Sequence, residues 1–208
     1  MKEQLYTTLE SEGHAEFTEK KSVFLSHAAP VKTEEEAMAF IKRHRNAYAD
    51  ARHNVWAFLL DGEIVARYSD DGEPQGSAGV PVLDTIRKSG ATDAVVVVTR
   101  YFGGILLGVG GLVRAYSHAA KLALDAAHII TYEKYVELEL VCSYSDYQKY
   151  LAELPRFGAL TDDTEFSDRV RLLFSVKQTV ADAVAERIRE ISNGHDVAEK
   201  RGERYDYR

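Results

Sequence analysis

The chain has 208 residues, 45% of them apolar and 28% charged, a balance that sets aside disordered, collagenous and membrane-spanning classes. Its net charge of -7 is spread, with 14 Lys/Arg against 17 Asp/Glu up to residue 130 and 12 against 16 after it. Neither half has the basic excess that non-specific nucleic-acid binding requires, so any RNA contact must be local.

In chain order, residues 1–13 read as a loosely held leader, polar, acidic and without the apolar core of a secretory signal, so a cytoplasmic location is expected. Residues 15–31 are β-prone and broken at Lys20-Lys21, which predicts two strands joined by a turn or bulge and stopped by Pro30. Thr33 before Glu34, Glu35 and Glu36 is an N-cap signal. Its hydroxyl can satisfy early N–H groups while the carboxylates favour the positive end of the helix dipole. A helix over residues 34–48 follows. The apolar strand 54–60 leads into Asp61-Gly62, which predicts a two-residue type I′ hairpin ending near Tyr68, because both turn positions need positive φ. Pro81 sits in the first turn of a helix over 80–88, ended by Gly90. The valines 95–98 are too apolar for an edge and place strand 94–99 centrally. A helix over 112–127 carries Arg114, Ser117, His118, Lys121 and Asp125 on one face.

Beyond residue 127 the pattern resets. Residues 132–141 alternate like a half-buried strand, Ser145 to Leu154 is helical, and strands 159–166 and 169–176 flank Ser167-Asp168. Thr179 is expected to cap a helix through Ile191, and residues 195–205 form a last strand. This β-α-β-β-α-β order predicts a ferredoxin-like domain. The expectation is an α+β protein of two domains, residues 1–130 and 131–208. The single cysteine, Cys142, excludes an internal disulfide and reads as a structural thiol.

Nine of the fourteen glycines lie between Arg67 and Gly111, in two loops, YSDDGEPQGSAGVP (68–81) and RYFGGILLGVGG (100–111). Gly103, Gly104, Gly108, Gly110 and Gly111 lead into a helix whose free N–H groups attract anions. The spacing fits neither nucleotide-loop pattern: Val109 and Gly110 follow Gly108 where Lys and Ser/Thr would be needed, and Val113 takes the last position of G-x-G-x-x-G. Tight packing of the loop and an RNA-phosphate contact both stay open. In the acidic loop, Asp70 or Asp71 could pair bidentately with Arg100 and lock the loops together. Alternatively, Asp70, Asp71, Gly72 and Glu73 form a partner surface, or the carboxylates serve acid/base or Mg²⁺ chemistry. Tyr101 and Phe102 are either core aromatics or stacking faces. The seven histidines show no close metal spacing, and neither metal nor other cofactor is expected.

The two loops carry a resemblance. Val97, Val98, Arg100, Tyr101, Phe102, Gly103, Gly104 and Gly108, with the Tyr68–Leu83 stretch, resemble the signature of the IMPACT family, also called the YigZ family. The resemblance implies a first domain with the β-α fold of a small-subunit ribosomal protein domain and of the fourth domain of elongation factor G. It implies a second domain similar to that factor's ferredoxin-like fifth domain. Eukaryotic relatives act as protein-binding regulators of the pathway that inhibits translation initiation in amino-acid starvation. The expectation is a non-catalytic, translation-associated regulator that binds ribosome, RNA or a translation factor, with no membrane partner. Arg100, Arg114, His118 and Lys121 would supply local positive charge. The alternatives are an enzyme acting on a small phosphorylated or peptide-like substrate through Asp70, Asp71 or Glu73, and a protein-binding regulator without RNA contact. A homodimer paired through sheet edges stays open.

Overall fold

Valines 95–98 are all fully buried because the strand that carries them is covered on both faces. The computed structural model describes residues 6–207, in two α+β units that part between Thr131 and Tyr132. The first unit contains strands β1 (Tyr6–Leu9), β2 (Gly13–Glu19), β3 (Ser22–Pro30), β4 (His53–Leu60), β5 (Val65–Ser69) and β6 (Ala94–Tyr101). Its helices are α1 (Glu34–Ala47), α2 (Gly79–Ser89) and α3 (Val109–Ala126). The sheet runs β2-β3-β6-β4-β5 with all neighbours antiparallel.

Side chains alternate across a strand, and in β6 both sets find a core. Ala94, Val96 and Val98 join Val82, Ile86 and Tyr116 of α2 and α3, while Val95 and Val97 join Phe40 and Ile41 of α1. Each buried valine contributes about 1.5–3 kcal/mol, so β6 anchors the unit. The same alternation puts Arg100, in phase with Val96 and Val98, on the α3 side.

Several local expectations change. Residues 6–13 are not a loose leader: residues 6–9 form β1, Leu9 is buried, and Tyr6 donates to Asp93 Oδ2 at 2.7 Å. Contacts distant in sequence hold this segment, which its own pattern does not reveal; residues 1–5 of the expected leader lie outside the described residues. The Asp61-Gly62 connection is four residues long, since Leu60 pairs with Val65. Both residues take positive φ, 50° and 60°, but a helical Ile64 follows. The two-residue turn is instead Lys20-Lys21, at φ 46° and 66°, between the paired Glu19 and Ser22. Thr33 caps α1, accepting from Glu36 N–H at 3.2 Å. Helix α3 starts three residues earlier than expected, with Gly108 as N-cap.

The second unit begins within β7 (Ile129–Cys142) and continues through α4 (Tyr144–Glu153), β8 (Leu160–Phe166), β9 (Val170–Lys177), α5 (Ala181–Ile191) and β10 (Glu199–Asp206). Its strand order, β10-β7-β9-β8, is antiparallel throughout and ferredoxin-like. Leu138, Leu140 and Phe174 pack with Tyr150 of α4 and with Val184 and Ile188 of α5. Thr179 does not cap α5: residues 178–180 form a 3-10 turn, and the N-cap is Val180, without a side-chain bond. Cys142 is buried, and burial, with Asp196 and Asp146 nearby, pushes its thiol up to about 11. No helix among the described residues is long and apolar enough to cross a membrane.

Candidate interaction site at the two loops

The first loop is closed by its own carboxylates. Asp70 Oδ1 accepts from the N–H groups of Ala78 and Gly79 at 3.1 and 2.8 Å, and Oδ2 accepts from Gly76 N–H at 2.9 Å. It therefore caps α2, whose N-cap residue Ala78 has no side-chain acceptor. Asp71 accepts from Arg45 at 3.0 Å and from Asn54 N–H at 2.7 Å, with its backbone at φ 43°. Its carbonyl oxygen, which can only accept, lies 2.8 Å from His53 Nδ1, so that nitrogen donates. Gly72 takes φ 87° against the same imidazole.

Arg100 pairs with neither aspartate. Its NH1 donates to Glu73 Oε1 at 2.7 Å, with side-chain exposures of 7% and 4%, and Tyr116 donates to the same oxygen at 2.8 Å. The clamp is thus built by Glu73. Short Asp side chains bond the backbone close to them, whereas the longer Glu arm crosses to the α3 side, where strand alternation has placed the arginine. Burial, then the Glu73 charge, pushes the Tyr116 phenol far above its ordinary value. Two members were absent from the sequence-derived set. They are Tyr116 of α3 and buried Ser22, which accepts from Arg100 NH2 at 3.3 Å and Gly103 N–H at 3.2 Å. Nothing in the sequence around Ser22 marks it, because its partners lie about eighty positions away.

In the second loop, Gly103 packs on the β2–β3 turn so closely that a Cβ would lie 2.0 Å from the Lys21 carbonyl. Gly104 and Gly108 take positive φ, 83° and 71°, while Gly110 and Gly111 lie in the first turn of α3. Tyr101 donates to Asp50 at 2.8 Å, and that bond raises its phenol. Phe102 is exposed beside the Arg100 guanidinium, 5.5 Å from Cζ to ring centre, with Phe24 at 5.6 Å. Ile105 is exposed as well, Leu106 is 83% exposed and Val109 62%.

The four expected positive groups separate. Arg100 is buried and neutralised, Lys121 pairs with Asp125 at 2.7 Å, and Arg114 and His118 are exposed. His118 stands edge-on to Phe17 at 4.8 Å.

Between the loops lies a cavity of about 350 Å³ with Pro74, Phe102, Leu106, Leu107, Val109 and Leu112 in its walls. Arg52, His53 and the Glu73–Arg100 pair also line it, and Arg100 Nε is buried without a hydrogen-bond partner. Among the described residues no group of His, Cys, Asp and Glu is arranged to hold a metal ion.

Comparison with known proteins bears on both units. Residues 20–124 match the model of the Impact N-terminal domain, and residues 140–195 match a domain of unknown function, DUF1949. The chain is 33% identical over 190 residues to the IMPACT family member YvyE of Bacillus subtilis, spanning 91% of this chain and 88% of that one. Protein IMPACT of Bos taurus is 34% identical over 95 residues, 44% of this chain and 30% of its own. A crystal structure of a hypothetical protein aligns with TM-score 0.59 and 28% identity, over 97% of this chain and 99% of the other.

Proposed function

This chain belongs to the IMPACT family, and on that premise we propose that it is a translation-associated binding protein, without catalysis of its own, that holds a protein component of the translation machinery through its glycine-rich loop. The translation setting comes from the family, whose eukaryotic members the sequence resemblance identifies as regulators of initiation. The observation that carries the choice of surface is the exposure of Phe102, Ile105, Leu106 and Val109 on one short loop. Large apolar side chains clustered in water mark interaction surfaces far better than scattered ones do. A catalytic use of the acidic loop is poorly supported, because Asp70 and Asp71 are held by internal bonds and Glu73 is tied to Arg100 and Tyr116.

RNA contact is the second reading, favoured by the exposed Arg114 and His118 on α3 beside the loop. Co-sedimentation with ribosomes at low and moderate salt separates the two. Apolar docking predicts binding that survives added salt, is lost in Ile105→Asp and is little changed in Arg114→Ala. Phosphate contact predicts the reverse, since released counterions make it salt-sensitive. No co-sedimentation at low salt would remove both.

A further inference from the structure

We propose that the cavity between the two loops seats the apolar face of an acidic amphipathic helix from a partner protein. The inference deepens the docking reading, on which it rests for the loops being the interaction surface, and adds the form and charge of what docks. The cavity, at about 350 Å³, falls at the small end of the roughly 300–1,000 Å³ range of ligand pockets, with room for an anchor side chain such as Leu or Phe. Pro74, Phe102, Leu107, Val109 and Leu112 form its apolar walls. Leu106, which also lines it, is 83% exposed, and exposed Ile105 extends the apolar surface along the loop.

The helical form follows from the backbone. The cavity opens where β6 ends, and β6 is paired on both sides there, Tyr101 with Val23 of β3 and Arg100 with His53 of β4. An extended segment finds no strand edge to complete, and its N–H and C=O groups would be left against hydrocarbon. A helix satisfies those groups internally and presents side chains at i, i+3, i+4 and i+7 to a groove.

The charge follows from the surroundings. In a chain of net charge -7, four exposed cations stand on the segments that touch the cavity or its loop. Lys20 and Lys21 form the turn on which Gly103 packs, Arg52 is in the cavity wall, and the Arg114 guanidinium lies beside Gly110. Among the described residues no hydrogen bond or ion pair engages these four side chains. Nearby carboxylates are engaged, Glu73 by Arg100 and Tyr116, Asp50 by Tyr101 and Asp71 by Arg45; the exposed Glu19 at the end of β2 opposes the cations. An apolar patch flanked by unengaged cations complements an apolar stripe bordered by Asp and Glu, and the same field speeds their encounter. RNA would use the cations, but Ile105 and Leu106 offer its bases no stacking face.

The test uses the full-length chain and three synthetic helical peptides of about four turns. The first has leucines along one face and glutamates along the other; the second replaces the glutamates by lysines, and the third replaces the leucines by serines. In ¹⁵N NMR the first peptide should shift the amides of residues 102–112 and bind about tenfold or more tightly than either of the others. Exposed ion pairs are individually weak, so Arg114→Ala should weaken it by less than about fivefold. Arg52→Glu combined with Arg114→Glu should reverse the preference between the glutamate and lysine peptides, an exchange that loss of structure would not produce. No shift at millimolar glutamate peptide, shifts elsewhere in the protein, equal binding of the glutamate and lysine peptides, or an unreversed preference would each overturn the proposal. A single-stranded oligouridylate that outcompetes the glutamate peptide and is indifferent to Ile105→Asp identifies RNA as the occupant and overturns it. Self-association that excludes the peptide and is abolished by Leu106→Ser identifies a second copy and does the same. Peptide binding without ribosome co-sedimentation of the parent chain removes the translation setting alone. Co-sedimentation that is lost in Ile105→Asp yet unchanged by the paired Arg52→Glu and Arg114→Glu substitutions removes the acidic helix alone.

Discussion

Between Asp70 and Gly79 the carboxylates turn to bonds inside the protein, whereas between Phe102 and Val109 the apolar side chains turn to water. The acidic loop looks reactive in sequence, yet Asp70 caps a helix, Asp71 ties down β4 and α1, and Glu73 neutralises a buried arginine. The glycine-rich loop looks like a phosphate cradle, yet its exposed surface is largely hydrocarbon. A polar group that finds a nearby backbone donor becomes structure. A large apolar group left in the open is the departure that asks for a partner.

The widest gap between the loops should appear when each is mutated. Glu73→Ala strands the Arg100 charge in the interior and should destabilise by about 3–5 kcal/mol in urea unfolding. Ile105→Asp, on the open loop, should change stability by no more than about 0.5 kcal/mol. Comparable losses would mean that the second loop is also a structural clamp.

Glycines within the second loop divide next. Gly103→Ala drives a Cβ into the Lys21 backbone and should cost about 1–3 kcal/mol. Gly104→Ala meets open space at φ 83° and should cost about 1 kcal/mol from backbone conformation alone. Equal costs would remove the packing role assigned to Gly103. Asp70→Ala should cost about 1 kcal/mol in thermal unfolding through loss of the α2 cap.

A separate effect, that of mild acid, acts away from both loops. Burial, with His44, His14 and Arg43 nearby and Glu12 opposing, lowers His27 to about 4 from its ordinary 6.5. The unfolded chain therefore binds more protons across that window. Stability should be full above about pH 6.5 and fall as the pH drops toward 4. His27→Gln should flatten this slope of the urea midpoint against pH, while Asp70→Ala should keep it.

Much of the fold was legible because local patterns carry it. Thr33 caps α1 with three glutamates in its first turn, the valine run is central, and the β-α-β-β-α-β order is that of the second unit. The turns were less legible. Lys-Lys forms the tight hairpin where Asp-Gly forms the longer connection, because the pairing of the flanking strands, more than the turn residues, fixes how many residues remain between them. At the candidate site the sequence pointed to the two loops, to Arg100 and to Glu73, but joined the arginine to the wrong carboxylates and passed over Ser22 and Tyr116.

By itself, then, the sequence determined which segments pair and bury, since period-two and helical spacing are properties of neighbouring residues. Only the tertiary structure decided which charge is neutralised and which apolar side chain stays in water. Ser22, Glu73, Arg100 and Tyr116 meet from four separate segments, β3, the first loop, β6 and α3. A side chain's bonding partner depends on how far it can reach once the layers have packed, and spacing along the chain does not record that distance.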